Sequence, residues 1–144
     1  MASNALKTQG ISVEVEATPG GGTYTAIAEV TGFSGPTTEA AEIEVTTLAS
    51  LAKEFIPGLA DNGEVTMEVN AVPSDTQHNQ VRSDIIAGTV RSYRIDFADG
   101  TTTNTTYTFD AFVKSFPFSA AADDKLAGTI ALRVTGDIVV ALAT

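Results

Sequence analysis

The chain has 144 residues, no cysteine, and a formal charge of −10 from 18 acidic and 8 basic side chains. That length is most simply one domain, able to bury roughly two-thirds of its unfolded surface without covalent staples. The composition excludes disulfides, thiolate metal sites and cysteine nucleophiles, and basic residues scattered from Lys7 to Arg133 give no patch for gripping nucleic acid phosphates. The acidic balance then has two readings, plain solubility or a surface that must not adhere to a polyanion.

The N-terminus, MASNALKTQG, holds one Lys and no long apolar run, so it reads as no secretory signal. No stretch approaches the ~18 continuous apolar residues that span a bilayer. Alternation then dominates. In ISVEVEA, Ile11, Val13 and Val15 take one face and Ser12, Glu14 and Glu16 the other. YTAIAEV (24–30) reads as a second strand after the turn TPGGG (18–22). Residues 37–63, TTEAAEIEVTTLASLAKEFIPGLADNG, carry Ile43, Val45, Leu48, Leu51, Phe55 and Ile56 but keep neither strand nor helix rhythm. They read as a long, weakly structured loop. GEVTMEVNAV sets Val65, Met67, Val69 and Ala71 against Glu64, Thr66, Glu68 and Asn70. Ser74 and Gln77 form a capping box for a helix over about 75–87, on which Val81, Ile85 and Ile86 share helical spacing and Gly88 supplies the stop. A strand over 90–98 follows, and Asp99-Gly100 opens a hairpin turn into a strand over 106–116. FSAAADDKLAG (118–128) reads as a polar loop, and GTIALRVTG and IVVALA as two further strands. Period two with one wet face predicts antiparallel sheets on a core. The expected fold is mainly β: two packed antiparallel sheets in a sandwich or barrel, one flanking α-helix and a long loop.

Residues suited to catalysis are sparse. His78 is the one histidine, placed where the helix spacing suggests a wet face, and reads as a surface or packing residue. Asp123-Asp124, and Asp96 with Asp99, are acidic pairs without the loop spacing that gathers oxygens around calcium. TPGGGT lacks the Lys and following helix of a phosphate loop, and no Gly-x-Ser-x-Gly elbow is present. Asn104-Thr105-Thr106 matches a glycosylation acceptor but reads as a hairpin tip. Most of the ten Phe and Tyr residues fall at core-facing strand positions, so no exposed stacking platform is expected. These observations predict no catalysis, no metal and no cofactor.

The second half carries the order strand, helix, strand, Asp-Gly hairpin, strand, polar loop, strand, from VTMEVNAVPSDTQHNQVRSDIIAGTVRSYRIDFADG through YTFDAFVKSFPF to GTIALRVTGDI. The first half adds IAEVTGFSGPTTEAAEIEVTTLAS, a strand, a Gly/Pro turn and a long loop. Together, over about 25–140, they resemble the major tail tube protein of long-tailed bacteriophages, the lambda-type family, related to contractile-tail and type VI secretion tubes. The family's aromatic-Arg/Lys-Ile-x-Phe-x-Asp/Asn-Gly corresponds to Tyr93-Arg94-Ile95-Asp96-Phe97-Ala98-Asp99-Gly100. Its next strand corresponds to Phe112-Val113-Lys114-Ser115-Phe116. The order of elements carries the resemblance more than any single motif.

The resemblance implies a non-enzymatic virion protein with a single tail-tube domain over 1–144, lacking the immunoglobulin-like domain that some members append. Rings of six would stack into a hollow tube through which DNA passes during ejection. The implied partners are copies of itself, the tape measure protein, the tail tip or baseplate and the tail terminator. DNA would pass transiently without specific binding, and nothing would insert into a membrane. Assembly would occur in the host cytoplasm.

In this family the long loop reaches neighbouring subunits, which makes Ile43, Val45, Leu48, Leu51, Phe55 and Ile56 candidate interface residues. Burying four such side chains contributes on the order of 6–12 kcal/mol gross, much of it offset by ordering and association entropy. The alternative is a loop folded onto its own domain as an edge hairpin plus a helical turn. Glu14, Glu16, Glu64, Glu68 and Asp96 become candidate lumen-lining residues that let DNA slide, an effect screened beyond ~8–10 Å. The alternative places these acids on the tube exterior. Rival functions are a tail terminator or contractile or secretion tube on the same fold, and a β-sandwich ligand-binding module.

Overall fold

The computed structural model describes residues 10–120, 122 and 124–144. The stretch 1–9, with Lys7, and Asp123 of the acidic pair lie outside them. In chain order the elements are β1 (Ser12–Glu16), β2 (Tyr24–Ala26), β3 (Val30–Ser34), β4 (Glu39–Glu44), β5 (Phe55–Asp61), β6 (Glu64–Asn70), α1 (Thr76–Ala87), β7 (Val90–Phe97), β8 (Thr105–Ser115), β9 (Phe118–Ser119) and β10 (Ala127–Ala141). The fold is mainly β with one helix and two antiparallel sheets, as the alternation predicts. The sheets are unequal. Eight strands form the body in the order β2-β1-β7-β8-β10-β6-β3, with β9 on β10, and β4 and β5 form a separate two-stranded hairpin.

The body sheet folds around its own core. β7 and β3 stand four strand spacings apart, ~19 Å in a flat sheet. Yet the rings of Phe97 and Phe33 lie 6.3 Å apart, centroid to centroid. The sheet therefore curls, and β2 and β3 remain as edges. Its inner face is the alternating apolar set: Val13 and Val15, Val65, Met67 and Val69, Tyr93 and Ile95, Phe109 and Ala111, Ile130 and Leu132, all buried in one cluster. Burial pushes the Tyr93 hydroxyl pKa well up.

Helix α1 begins one residue later than the Ser74 capping box predicts. Asp75 is the cap, and its carboxylate accepts from the Gln77 and His78 N–H groups at 2.9 and 3.1 Å. Gly88 ends the helix at φ 69. Val81 is buried, whereas Ile86 faces solvent, so the apolar stripe is narrower than its spacing suggests.

Two strand boundaries also differ. Residues 24–30 do not run as one strand. The chain turns at Glu29, whose left-handed φ of 64° is held by Asn70, which donates its backbone N–H to Glu29 O at 2.9 Å and its side-chain amide to the carboxylate at 3.0 Å. This turn sends β2 to β1 and β3 to β6, on opposite edges of the sheet. At the other end of the chain the two expected strands are one. β10 runs through a bulge at Gly136, φ 83, so 131–135 and 138–141 stay on the same partner, β8.

Candidate assembly surface

Residues 37–63 hold an ordered hairpin where a weakly structured loop was expected. β4 and β5 pair Ile43 with Ile56 and Glu44 with Phe55. The tip satisfies its own polar groups: Ser50 Oγ accepts from Thr47 N at 3.0 Å and donates to Glu54 at 2.9 Å, while Thr46 Oγ1 accepts from Glu54 N at 2.9 Å. With the polar groups turned on one another, Leu48 and Leu51 stand fully in solvent, at 109% and 105% relative exposure. Ile43, Val45, Phe55 and Ile56 are about half exposed. All six candidate interface residues therefore share one arm, and this arm is not folded onto its own body. Leu59 is nearly as exposed as the two tip leucines, and the alternation does not reveal it because it falls at a bulge.

The arm has two faces. Directly opposed residues share a face of a hairpin. Ile43 and Ile56, with Val45 two residues on, make an apolar ladder, while Glu42 opposite Pro57 and Glu44 opposite Phe55 make an acidic-aromatic one. Its root is fixed. Asp61 Oδ1 accepts from Gly63 N at 2.9 Å, and both carboxylate oxygens accept from Arg133 of β10 at 2.9 Å. These bonds, the Gly63 amide first, hold the Asp61 pKa below the usual carboxylate range. Asn62 donates to Gly136 O at 2.6 Å, and Val134 N donates to Gly63 O at 3.0 Å. A Cβ at Gly63 would lie 2.1 Å from Thr37 Oγ1, so this turn, at φ 68, requires glycine.

The five candidate lumen acids are not brought together. Glu14 and Asp96 lie on β1 and β7, and Glu64 and Glu68 on β6, with β8 and β10 between. Glu14 pairs with Arg94, Glu64 pairs with Lys114, and Asp96 accepts from Asn104 at 2.9 Å. Lys114 holds the Glu64 pKa down. Glu68 alone of the five is exposed without an ion pair among the described residues. Glu16 is a correction to the expected wet face: it is buried, at 5% exposure. The 17–23 turn wraps over it, so its carboxylate accepts from Gly22 N at 2.9 Å and Ser92 N at 3.3 Å. The Gly22 bond is the main reason its pKa is lowered, against the opposing effect of burial.

His78 is likewise buried, contrary to a wet face. Its Nδ1 accepts from Val72 N at 3.1 Å, so Nε2 carries the proton and donates to Ala28 O at 2.9 Å. The ring splices the helix to two chain segments, with its edge on Phe116. Asp99 accepts from the backbone and hydroxyl of Thr105 at 2.8 and 2.7 Å, closing the hairpin tip that contains Asn104. Among the described residues no group of three or more His, Cys, Asp or Glu is placed to hold a metal, and no helix is long and apolar enough to cross a membrane.

A family model, a curated relative and solved structures of the same fold all match this chain. Residues 4–144 match the family model described as phage tail tube, TTP, lambda-like. Structural protein 3 of Pseudomonas phage PAJU2 is 27% identical over 126 residues, covering 75% of this chain and 77% of that protein. The fold is shared with the tail of an empty gene transfer agent particle of C6 symmetry, at 16% identity and a TM-score of 0.76 over 94% of this chain and 98% of that one. It is shared too with the SPP1 tail tube, at 11% identity and a TM-score of 0.74 over 94% and 78%.

Proposed function

The chain belongs to the lambda-like family of phage tail tube proteins, and from that premise we propose that the Glu39–Asp61 arm joins copies of it into stacked six-membered rings. A structural role in the virion tail follows from the family. Sixfold symmetry is a property of the gene transfer agent tail that shares the fold, and it supports the same ring here. The observation that carries the arm's role is the pair Leu48 and Leu51, held by an ordered tip and touching nothing of their own body. Burying both removes apolar surface that a lone copy leaves in water.

The same reading gives the tube a channel for DNA, with the tape measure protein inside it during assembly in the host cytoplasm and the terminator and tail tip at its ends. It assigns no catalytic role. Glu68 is the exposed acid suited to a channel wall and contributes an unpaired charge, while the partly exposed Glu64 and Asp96 and the mostly buried Glu14 contribute less. Electron microscopy of the concentrated protein tests the proposal. Long open tubes are expected, and a variant lacking roughly 40–57 should remain a folded monomer. A wild-type chain that stays monomeric at millimolar concentration overturns it.

A further inference from the structure

Among the described residues no cation of the body pairs with the arm's acidic face. Glu42 and Glu44 flank Phe55 there and make no ion pair among the described residues. Four of the eight basic side chains are already taken: Arg91 by Asp84, Arg94 by Glu14, Lys114 by Glu64 and Arg133 by Asp61. Lys7 lies outside the described residues and Lys53 is on the arm itself. Lys125 makes no ion pair among the described residues either, its backbone N–H donating to the Asp124 carboxylate at 2.7 Å. Arg82 differs in being seated on an aromatic ring. It is exposed on α1, with its guanidinium 4.9 Å from the centroid of the partly exposed Phe118 ring. Its neighbours three and four residues away are His78, Asn79, Ile85 and Ile86, so the helix offers it no carboxylate.

The two features lie at opposite ends of the body. The arm is rooted at the Glu64 end of β6. Phe118 pairs with Gly128, and Gly128 with Val69, which puts Arg82 and Phe118 at the Asn70 end, ~20 Å along the strand. A contact between unlike surfaces is made either reciprocally in a closed two-fold dimer or head to tail along a row of copies. Features at opposite ends of one body suit the head-to-tail row of stacked rings.

We infer that the Glu42–Glu44–Phe55 face of the arm docks on the Arg82–Phe118 pair of a second copy, as the axial contact between successive rings. The match is of charge and of ring. Two carboxylates meet a guanidinium that has none among the described residues, and Phe55 extends the stack that Phe118 begins. The apolar Ile43–Val45–Ile56 ladder is left for a different surface, so the two faces of one arm have different partners. This inference rests on the arm's role in assembly and names the surface on which it lands.

Charge reversal tests it. Arg82→Glu is expected to leave the monomer's circular dichroism and melting unchanged, since Arg82 is exposed, and to raise the critical concentration for tubes at least tenfold. Adding Glu42→Arg and Glu44→Arg to that variant should restore assembly to within a few-fold of wild type. Should Arg82→Glu itself lower the melting temperature, Arg82→Gln gives the same direction with a smaller change. Tubes from Arg82→Glu at the wild-type critical concentration, or failure of the reversed pair to restore them, overturn the docking. Leu48→Ser with Leu51→Ser separates this from the arm's role: tubes lost there but kept in Arg82→Glu leave the arm an assembly element with a different landing site, and tubes kept in both remove the arm altogether.

Discussion

Arg133 holds both carboxylate oxygens of Asp61, each at 2.9 Å, across 72 residues of sequence. Both side chains are substantially exposed, so screening leaves the pair little weight in global stability. Its position matters more, because one guanidinium nitrogen, Nη2, sits between both carboxylate oxygens and tethers the root of the arm to the body. Here it joins the last residue of the arm, Asp61 at the end of β5, to the middle of the longest strand in the body. Arg133→Ala should therefore melt within a few degrees of wild type yet assemble more slowly, as the arm searches a wider cone. A melting temperature lowered as much as by a core truncation would show that the pair carries the fold and not the aim.

Leu48 and Leu51 offer the sharpest separation of folding from assembly. Both are already in water in the lone chain, so Leu48→Ser and Leu51→Ser remove nothing from the core. Each leucine buried at an interface contributes roughly 1.5–3 kcal/mol, or about 10- to 100-fold in association. Sedimentation should show each variant needing at least tenfold more protein to form tubes, with melting curves superimposable on wild type. Unaltered tube formation by the double variant would detach the arm from assembly.

Much of this architecture is legible in the residues, and what escapes has a common cause. Met67, Ile95 and Leu132 alternate with polar neighbours because one face of each strand is dry, and alternation reports a dry face directly. The break at Glu29 escapes because Asn70, far away in sequence, stabilises a left-handed residue in a stretch without Gly, Pro or Asn. Glu16 escapes because a turn six residues on folds back over it and supplies backbone donors. The arm's strands escape for the opposite reason: Ile43 and Glu44 do alternate, but no body covers either face and the tip carries two leucines where a turn is normally polar.

His78 has a structural task that a substitution exposes. His78→Phe keeps the ring's bulk against Phe116 and deletes both hydrogen bonds, to the half-buried Val72 N–H and to the C=O of the exposed Ala28. Two such bonds contribute about 1–3 kcal/mol, or several degrees in melting temperature for a domain of this size. Assembly below that temperature should be unaffected. Loss of assembly in a variant whose monomer is still folded would give the histidine a role at the interface.

Acid should weaken the monomer through Glu16. Its pKa is lower in the folded chain than in the unfolded one, so the native state binds fewer protons. The stability it contributes is complete above the unfolded value of about 4.3 and is lost as pH falls through the folded value. Asp61, Glu64 and Asp99 share that sign. Glu16→Gln should therefore melt below wild type near neutral pH, and the gap should narrow as pH drops below about 4.5. A gap that stays constant from neutral pH to pH 3 would show that Glu16 is not held as a carboxylate.

Glu68 is the residue with which to test the channel wall. Lys114 compensates Glu64 and Arg94 compensates Glu14, so replacing either acid also breaks an ion pair and blurs the outcome. Glu68 faces solvent from the middle of β6, and Glu68→Lys changes the charge there by two without disturbing a partner. In a sixfold ring the change is repeated six times per layer, close to any polyanion passing within the screening distance of ~8 Å. Virions assembled with Glu68→Lys should form normally and eject DNA several-fold more slowly, with the delay relieved by added salt. If Glu64→Lys is added, the effect should deepen, because Lys114 is then left uncompensated as well. Ejection kinetics equal to wild type in both variants would put the outer face of β6 on the tube's exterior.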